Sequence, residues 1–107
     1  MKLEDVRNIT VIGAGIMGHG IGQVFAMGGY DVCLTDVSAG ILEKALKRIR
    51  TNLDIFRDNG FVTEAEAGAA MSRVHTEPDL AKAVRNADIG VEAVKEDIEL
   101  KRTLFNR

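Results

Sequence analysis

Gly13, Gly15 and Gly18 stand in the spacing G-x-G-x-x-G, inside a stretch, Val11 to Phe25, that carries five glycines between Gly13 and Gly22. Glycine costs a helix about 1 kcal/mol relative to alanine, so a helix that opens on this residue asks for a purpose. Each of the three has one. The first can take the backbone angles of a tight turn. The second, with no side chain, lets a bulky anion approach the main chain, and the third lets the helix pack hard against the strands. The freed N–H groups near Ile16 and Met17, with the positive end of the helix dipole, then face a diphosphate. Asp36 lies 18 residues beyond Gly18. A carboxylate there accepts two hydrogen bonds from an adenosine ribose and repels a 2′-phosphate, and Val37-Ser38 offers no arginine to welcome that phosphate. Together these features point to NAD rather than NADP. The competing reading is a glycine-rich helix start used for packing alone, with Asp36 as a helix cap.

This chemistry needs a strand, a turn and a helix in that order. Asn8 to Ile12 (NITVI) is apolar and β-branched nearly throughout, which predicts a parallel strand buried on both faces. From Ile16 the positions Ile16, Met17, Ile21, Val24, Phe25 and Met27 keep helical spacing, and Gly28-Gly29 stops the helix. Asp31 to Thr35 (DVCLT) is a second strand, parallel to the first in a βαβ unit. Ser38 caps a long helix with the core stripe Leu42, Leu46, Ile49, Leu53 and Phe56, closed by Gly60. Thr63 and Glu66 have capping-box spacing and open a shorter helix to about Ser72. Arg73 to Glu77 alternates like a short strand, Asp79 caps a helix to Arg85, and Ile89 to Val94 (IGVEAV) is a fourth strand. Asp97 to Arg107 is expected to begin a helix, with Ile98, Lys101, Leu104 and Phe105 in step. The predicted fold class is α/β: a Rossmann-type, doubly wound, mostly parallel sheet, truncated, with a helical excursion between strands 2 and 3.

Composition bounds the rest. A chain of 107 residues forms one domain, and 46% hydrophobic with 28% charged residues supports a packed core. The net charge of −2, with both signs interspersed, gives no attraction to nucleic acid. One cysteine, Cys33, forms no internal disulfide and suits a reducing compartment. No apolar run reaches the roughly 18 residues of a membrane span, and MKLEDVRN is unlike a targeting peptide. A cytoplasmic location is expected.

GAGIMGHGIGQVFAMGGYDVCLTD resembles the opening of the L-3-hydroxyacyl-CoA dehydrogenases, including bacterial 3-hydroxybutyryl-CoA dehydrogenases. IGVEAVKEDIELKRTLF, Ile89 to Phe105, resembles the same family's block with E-A-V-x-E and a lysine five residues on. The likeness spans nearly the whole chain and implies an oxidoreductase that oxidises the 3-hydroxyl of an acyl-CoA with hydride transfer to NAD. Carried over, Gly13, Ala14, Gly15, Ile16, Met17 and Gly18 would hold the pyrophosphate and Asp36 the adenosine ribose. Ala93 and Val94 would line the cofactor, and Glu96 and Lys101 would lie near its nicotinamide half. The excursion Ser38 to Ser72 resembles an arm that helps cover coenzyme A. Many members carry serine and lysine where this sequence has Asn52 and Asn59, the two positions that the resemblance implies as substrate contacts. Lys44, Lys47, Arg48, Arg50 and Arg57 read either as a solvated helix face or as partners for CoA phosphates.

His19 reads as a partly exposed helix histidine, His75 as a remote strand residue, and Cys33 as a small core residue. The catalytic histidine that the resemblance implies, with its carboxylate partner, lies beyond these residues, as does a helical second domain. The 107 residues are therefore expected to be an amino-terminal NAD-binding piece, without catalysis and without a metal, acting on acyl-CoA only within the complete enzyme. An open edge on the Ile89–Val94 strand is expected to pair with another copy, or an element to be exchanged between copies, giving a homo-oligomer. The adenosine half of NAD should bind better than the nicotinamide half. Other readings are a β-hydroxyacid dehydrogenase, which lacks an acid at Asp36 and the long excursion, a stand-alone nucleotide sensor, and a structural protein of dehydrogenase descent.

Overall fold

The β-branched run at Asn8 forms β1 (Asn8–Ile12), followed by α1 (Ile16–Met27) and β2 (Asp31–Thr35). The excursion comprises α2 (Ala39–Asp58) and α3 (Glu64–Ser72), and β3 (Val74–Thr76), α4 (Leu80–Val84) and β4 (Ile89–Val94) complete the parallel sheet. The structure, a computed structural model, describes residues 5–94 and 97–102. Strand order is β3-β2-β1-β4 with all three pairings parallel, which is the doubly wound α/β arrangement expected.

One element departs from expectation. Asp97–Arg102 is a strand, β5, antiparallel to β4, and not the start of a helix. Its sequence, DIELKR, alternates apolar and charged residues with period two, which a pleated edge accepts as readily as a helix accepts the longer spacing. That longer spacing drew on Leu104 and Phe105, which lie outside the described residues. The pairing also overturns the open-edge expectation: the outer side of β4 is occupied by β5 of the same chain, so the argument for joining two copies through β4 fails.

The core forms where both faces of the sheet are covered. Ile9, Val11, Val32 and Leu34 of the central strands and Ile49 of α2 are essentially inaccessible to solvent. Each such side chain contributes about 1.5–3 kcal/mol by leaving water. The α2 stripe sits as its spacing predicts, with Leu42, Ile49 and Leu53 buried. In α1 the buried face differs from the apolar spacing: Gly18, Gly22 and Ala26 turn inward at steps of four, whereas Val24 is 68% exposed. A Cβ on Gly22 would lie 2.8 Å from Leu34 Cδ2, so small residues set how closely α1 approaches β2. Both helices of the excursion carry the expected caps. Ser38 Oγ accepts from Ile41 N, and Thr63 with Glu66 forms a reciprocal capping box. No helix among the described residues is long and apolar enough to cross a membrane.

Candidate functional site

The register of the sheet brings the sequence motifs to one place. Ile12 pairs with Thr35 on β2 and with Glu92 on β4. The next residue on each strand, Gly13, Asp36 and Ala93, therefore stands at the carboxyl ends of three adjacent strands. This is also where the strand order reverses, between β1 and β4, the position at which open α/β sheets form a binding crevice.

Local geometry gives each glycine its role. Gly13 has φ of 94°, a left-handed angle that side chains other than glycine's resist, and its N–H donates to Thr35 O at 2.9 Å. A Cβ on Gly18 would overlap the carbonyl oxygen of Gly13 and lie 2.8 Å from the Gly13 carbonyl carbon, so α1 crosses β1 only because this residue has none. Gly15 is different. It is the N-cap of α1, a Cβ there would meet no atom within 4 Å, and it makes no side-chain cap bond. Among the described residues no group fills the space where its side chain would stand, and the first-turn N–H groups of α1 lie there with the positive end of the helix. The chain thus offers a built cradle for a phosphate-bearing group.

Asp36 closes one side of that cradle. Its Oδ2 accepts from Ala14 N at 3.1 Å and its Oδ1 from Ser38 N at 3.0 Å. The carboxylate is therefore oriented by main chain on both sides, and each oxygen keeps acceptor capacity for a hydroxyl. Its tie to Ala14 was not legible in the sequence, because it needs β1 and β2 side by side. No acidic residue sits in the first turn of α1, so nothing there competes with an incoming anion.

The remaining candidates separate. Ala93 is buried and belongs to the hydrophobic core. Val94 ends β4 one residue beyond that row, and Lys101 pairs across β4–β5 with Gly90 instead of riding on a helix. Glu96 lies outside the described residues. Asn52 donates from Nδ2 to Gln23 Oε1 at 2.9 Å, joining α2 to α1, and Gln23 itself is buried. Asn59 caps α2, its Nδ2 donating to Ile55 O at 2.8 Å. Both asparagines make protein contacts, and neither adjoins the glycine loop. Lys44, Lys47, Arg48 and Arg50 are exposed, while Arg57 pairs with Asp54 at 3.3 Å and Asp58 at 3.2 Å, as a solvated face would. His19 is half-buried, with Nδ1 3.0 Å from Gly15 O, and His75 is exposed on β3. Burial, then the charge of Glu77, pushes the Cys33 thiol up to about 11, which makes it a poor nucleophile. Among the described residues no cluster of ligating side chains could hold a metal ion.

The profile of the family described as "3-hydroxyacyl-CoA dehydrogenase, NAD binding domain" matches residues 8–107. The mitochondrial hydroxyacyl-coenzyme A dehydrogenase of Mus musculus is 37% identical over 107 residues, covering 95% of this chain and 34% of that protein. The 3-hydroxybutyryl-CoA dehydrogenase of Bradyrhizobium diazoefficiens is 37% identical over 101 residues, covering 94% of this chain and 34% of its own length. The crystal structure of 3-hydroxybutyryl-CoA dehydrogenase from Escherichia coli K12 superposes with a TM-score of 0.81 at 33% identity, over 87% of this chain and 20% of that one. The chain spans about a third of the length of the curated relatives named here.

Proposed function

The chain belongs to the NAD-binding domain family of the 3-hydroxyacyl-CoA dehydrogenases, and from that premise we propose that its crevice seats NAD with the diphosphate on the loop Gly13 to Gly18 and the adenosine ribose on Asp36. The observation that carries this reading is the free space beside Gly15, next to an N-terminal turn with no side-chain cap. Ala14, Ile16 and Met17 complete the loop, with the Ala14 N–H committed to holding Asp36 in place. Ala93 and Val94 form the β4 wall, and Glu96 and Lys101 are assigned to the nicotinamide end on resemblance. Asp36 excludes the extra phosphate of NADP by like-charge repulsion.

NAD supplies the hydride acceptor of an alcohol oxidation. The chain's own residues orient it: Gly18 fixes the angle of α1, Gly13 turns the loop, and Asp36 sets the ribose. We further propose that the whole protein converts the 3-hydroxyl of an L-3-hydroxyacyl-CoA into the ketone, as the names of its relatives imply. Removal of the hydroxyl proton requires a general base. His19 is tied to Gly15 O and His75 lies on the far strand, so we place that base outside the described residues. The excursion α2–α3 is the part assigned to the acyl-CoA, with Asn52 and Asn59 as its contacts by resemblance. A cytoplasmic location and self-association belong to this reading too, the latter no longer through β4. The exposed apolar side chains Val24, Ile55 and Phe61 are its remaining support. Sedimentation that shows a concentration-independent monomer removes it.

Calorimetric titration tests the cofactor assignment. NAD and ADP are expected to bind within a few-fold of each other, and NADP at least about tenfold more weakly, a difference of about 1.4 kcal/mol. Equal affinity for NADP, or no heat with any of the three, refutes it.

A further inference from the structure

A cleft of about 690 Å³ lies away from the glycine loop, between α2 and α3 and against β3. That is within the range of about 300–1,000 Å³ typical of small-molecule sites. Its wall on α2 is the face bearing Leu46, Arg50, Leu53 and Arg57. Asn52 and Asn59 lie about 140–180° around the same helix from Arg50 and Arg57, so this is not the face on which the resemblance places acyl-CoA.

Two features of the cleft point to an occupant. The first is Gly68, in the middle of α3, where a glycine costs about 0.5–1 kcal/mol relative to alanine. A Cβ there would meet nothing within 4 Å, so no packing contact among the described residues requires the glycine. Gly68 lines the cleft, with open space where a side chain would stand. The second is charge. Arg57 is offset by Asp54 and Asp58 at 3.3 and 3.2 Å, and Glu64 sits in the first turn of α3, where the helix dipole favours a carboxylate. Arg50 alone is uncompensated: among the described residues it has no hydrogen-bond or ion-pair partner. Apart from Ser72, whose hydroxyl donates to Ala69 O, the rest of the lining is apolar, chiefly Leu46, Leu53, Met71 and Val74.

We propose that this cleft binds an aliphatic carboxylate, its chain on Leu46, Leu53, Met71 and Val74 and its head on the Arg50 guanidinium. Arginine holds a carboxylate through two parallel N–H···O bonds, which gives the head a fixed orientation while the tail lies along the apolar wall. The site goes beyond the cofactor reading and does not depend on it.

Sodium octanoate, titrated into the 107-residue chain and followed by amide NMR, tests the proposal. Saturable shifts confined to residues 46–57 and 64–74 are expected. Arg50→Gln, at an exposed position, should weaken binding about tenfold by removing a charge-assisted contact. Gly68→Leu should abolish it by filling the cleft, and 1-octanol should bind about tenfold more weakly than octanoate. NAD titrations of both variants should match the parent chain. Octanol binding as tightly as octanoate, shifts absent or scattered over other elements, or an affinity indifferent to both substitutions would each overturn it.

Discussion

Changing Gly15 and Gly18 to alanine, one at a time, separates clearance for a ligand from clearance for the fold. At Gly18 the new Cβ would overlap the Gly13 carbonyl oxygen and sit 2.8 Å from its carbon, with Val11 Cγ1 a further 3.5 Å neighbour. Both are parts of the sheet and its turn, so α1 itself must shift. Overpacking against main chain costs about 2–3 kcal/mol, the upper part of the usual range, offset by about 1 kcal/mol of helix propensity. A net loss of about 1–2 kcal/mol lowers Tm by about 5–15 °C in a domain of this size. At Gly15 the φ of −69° suits alanine and a Cβ meets nothing within 4 Å, so the fold loses only about 0.5–1 kcal/mol of capping preference. The methyl group does stand where the diphosphate is placed. Displacing one charge-assisted hydrogen bond, at about 1.5–3 kcal/mol, weakens ADP or NAD about 10–150-fold. Scanning calorimetry with ligand titration on the two variants reads both quantities. A Gly15→Ala chain of unchanged nucleotide affinity refutes the reasoning, as does a Gly18→Ala chain of unchanged stability.

Other outcomes follow from the same structure. Asp88 accepts from Arg7 N at 2.8 Å and Asn8 N at 2.9 Å, and these backbone bonds hold its carboxyl below the usual value. A lowered carboxylate stabilises above the unfolded pKa, and the gain is lost as pH falls through the folded one; acid unfolding should therefore steepen below about pH 4, and Asp88→Asn should flatten that limb. The Cys33 thiol, raised from 9.0 to about 11, should alkylate with iodoacetamide at pH 8 about 100-fold more slowly in the native chain than after unfolding; equal rates would contradict its burial. Thr10 Oγ1 donates to Ala83 O at 2.7 Å in the core, so Thr10→Val, which keeps the shape, should cost about 1–2 kcal/mol in urea unfolding by orphaning that carbonyl.

How much of this was readable in advance depends on how local the cause was. β1, β2 and β4 are short β-branched runs, and their bounds coincide with those of the sequence reading. The two excursion helices announce themselves through Ser38, Thr63 and Glu66, because capping is a contact within four residues. Asp97–Arg102 misled because two periods fit the same residues, and only the neighbouring β4 edge decides between them. The buried face of α1 misled for a related reason. Large apolar residues ordinarily mark the core side, but here Gly18, Gly22 and Ala26 do, since α1 lies unusually close to the strands. The glycine spacing and Asp36 were visible as a motif. The bond from Ala14 N to Asp36, and the Asn52–Gln23 tie that occupies a presumed substrate residue, both span more than 20 positions and emerge only from the packing.

The measurement that bears most directly on the account is a crystal structure of this chain with NAD. The account predicts diphosphate oxygens against the first-turn amides of α1 beside Gly15, and both adenosine ribose hydroxyls on the Asp36 carboxylate. A dinucleotide bound anywhere else, or a ribose out of reach of Asp36 while the carboxylate serves only Ala14 and Ser38, would contradict it.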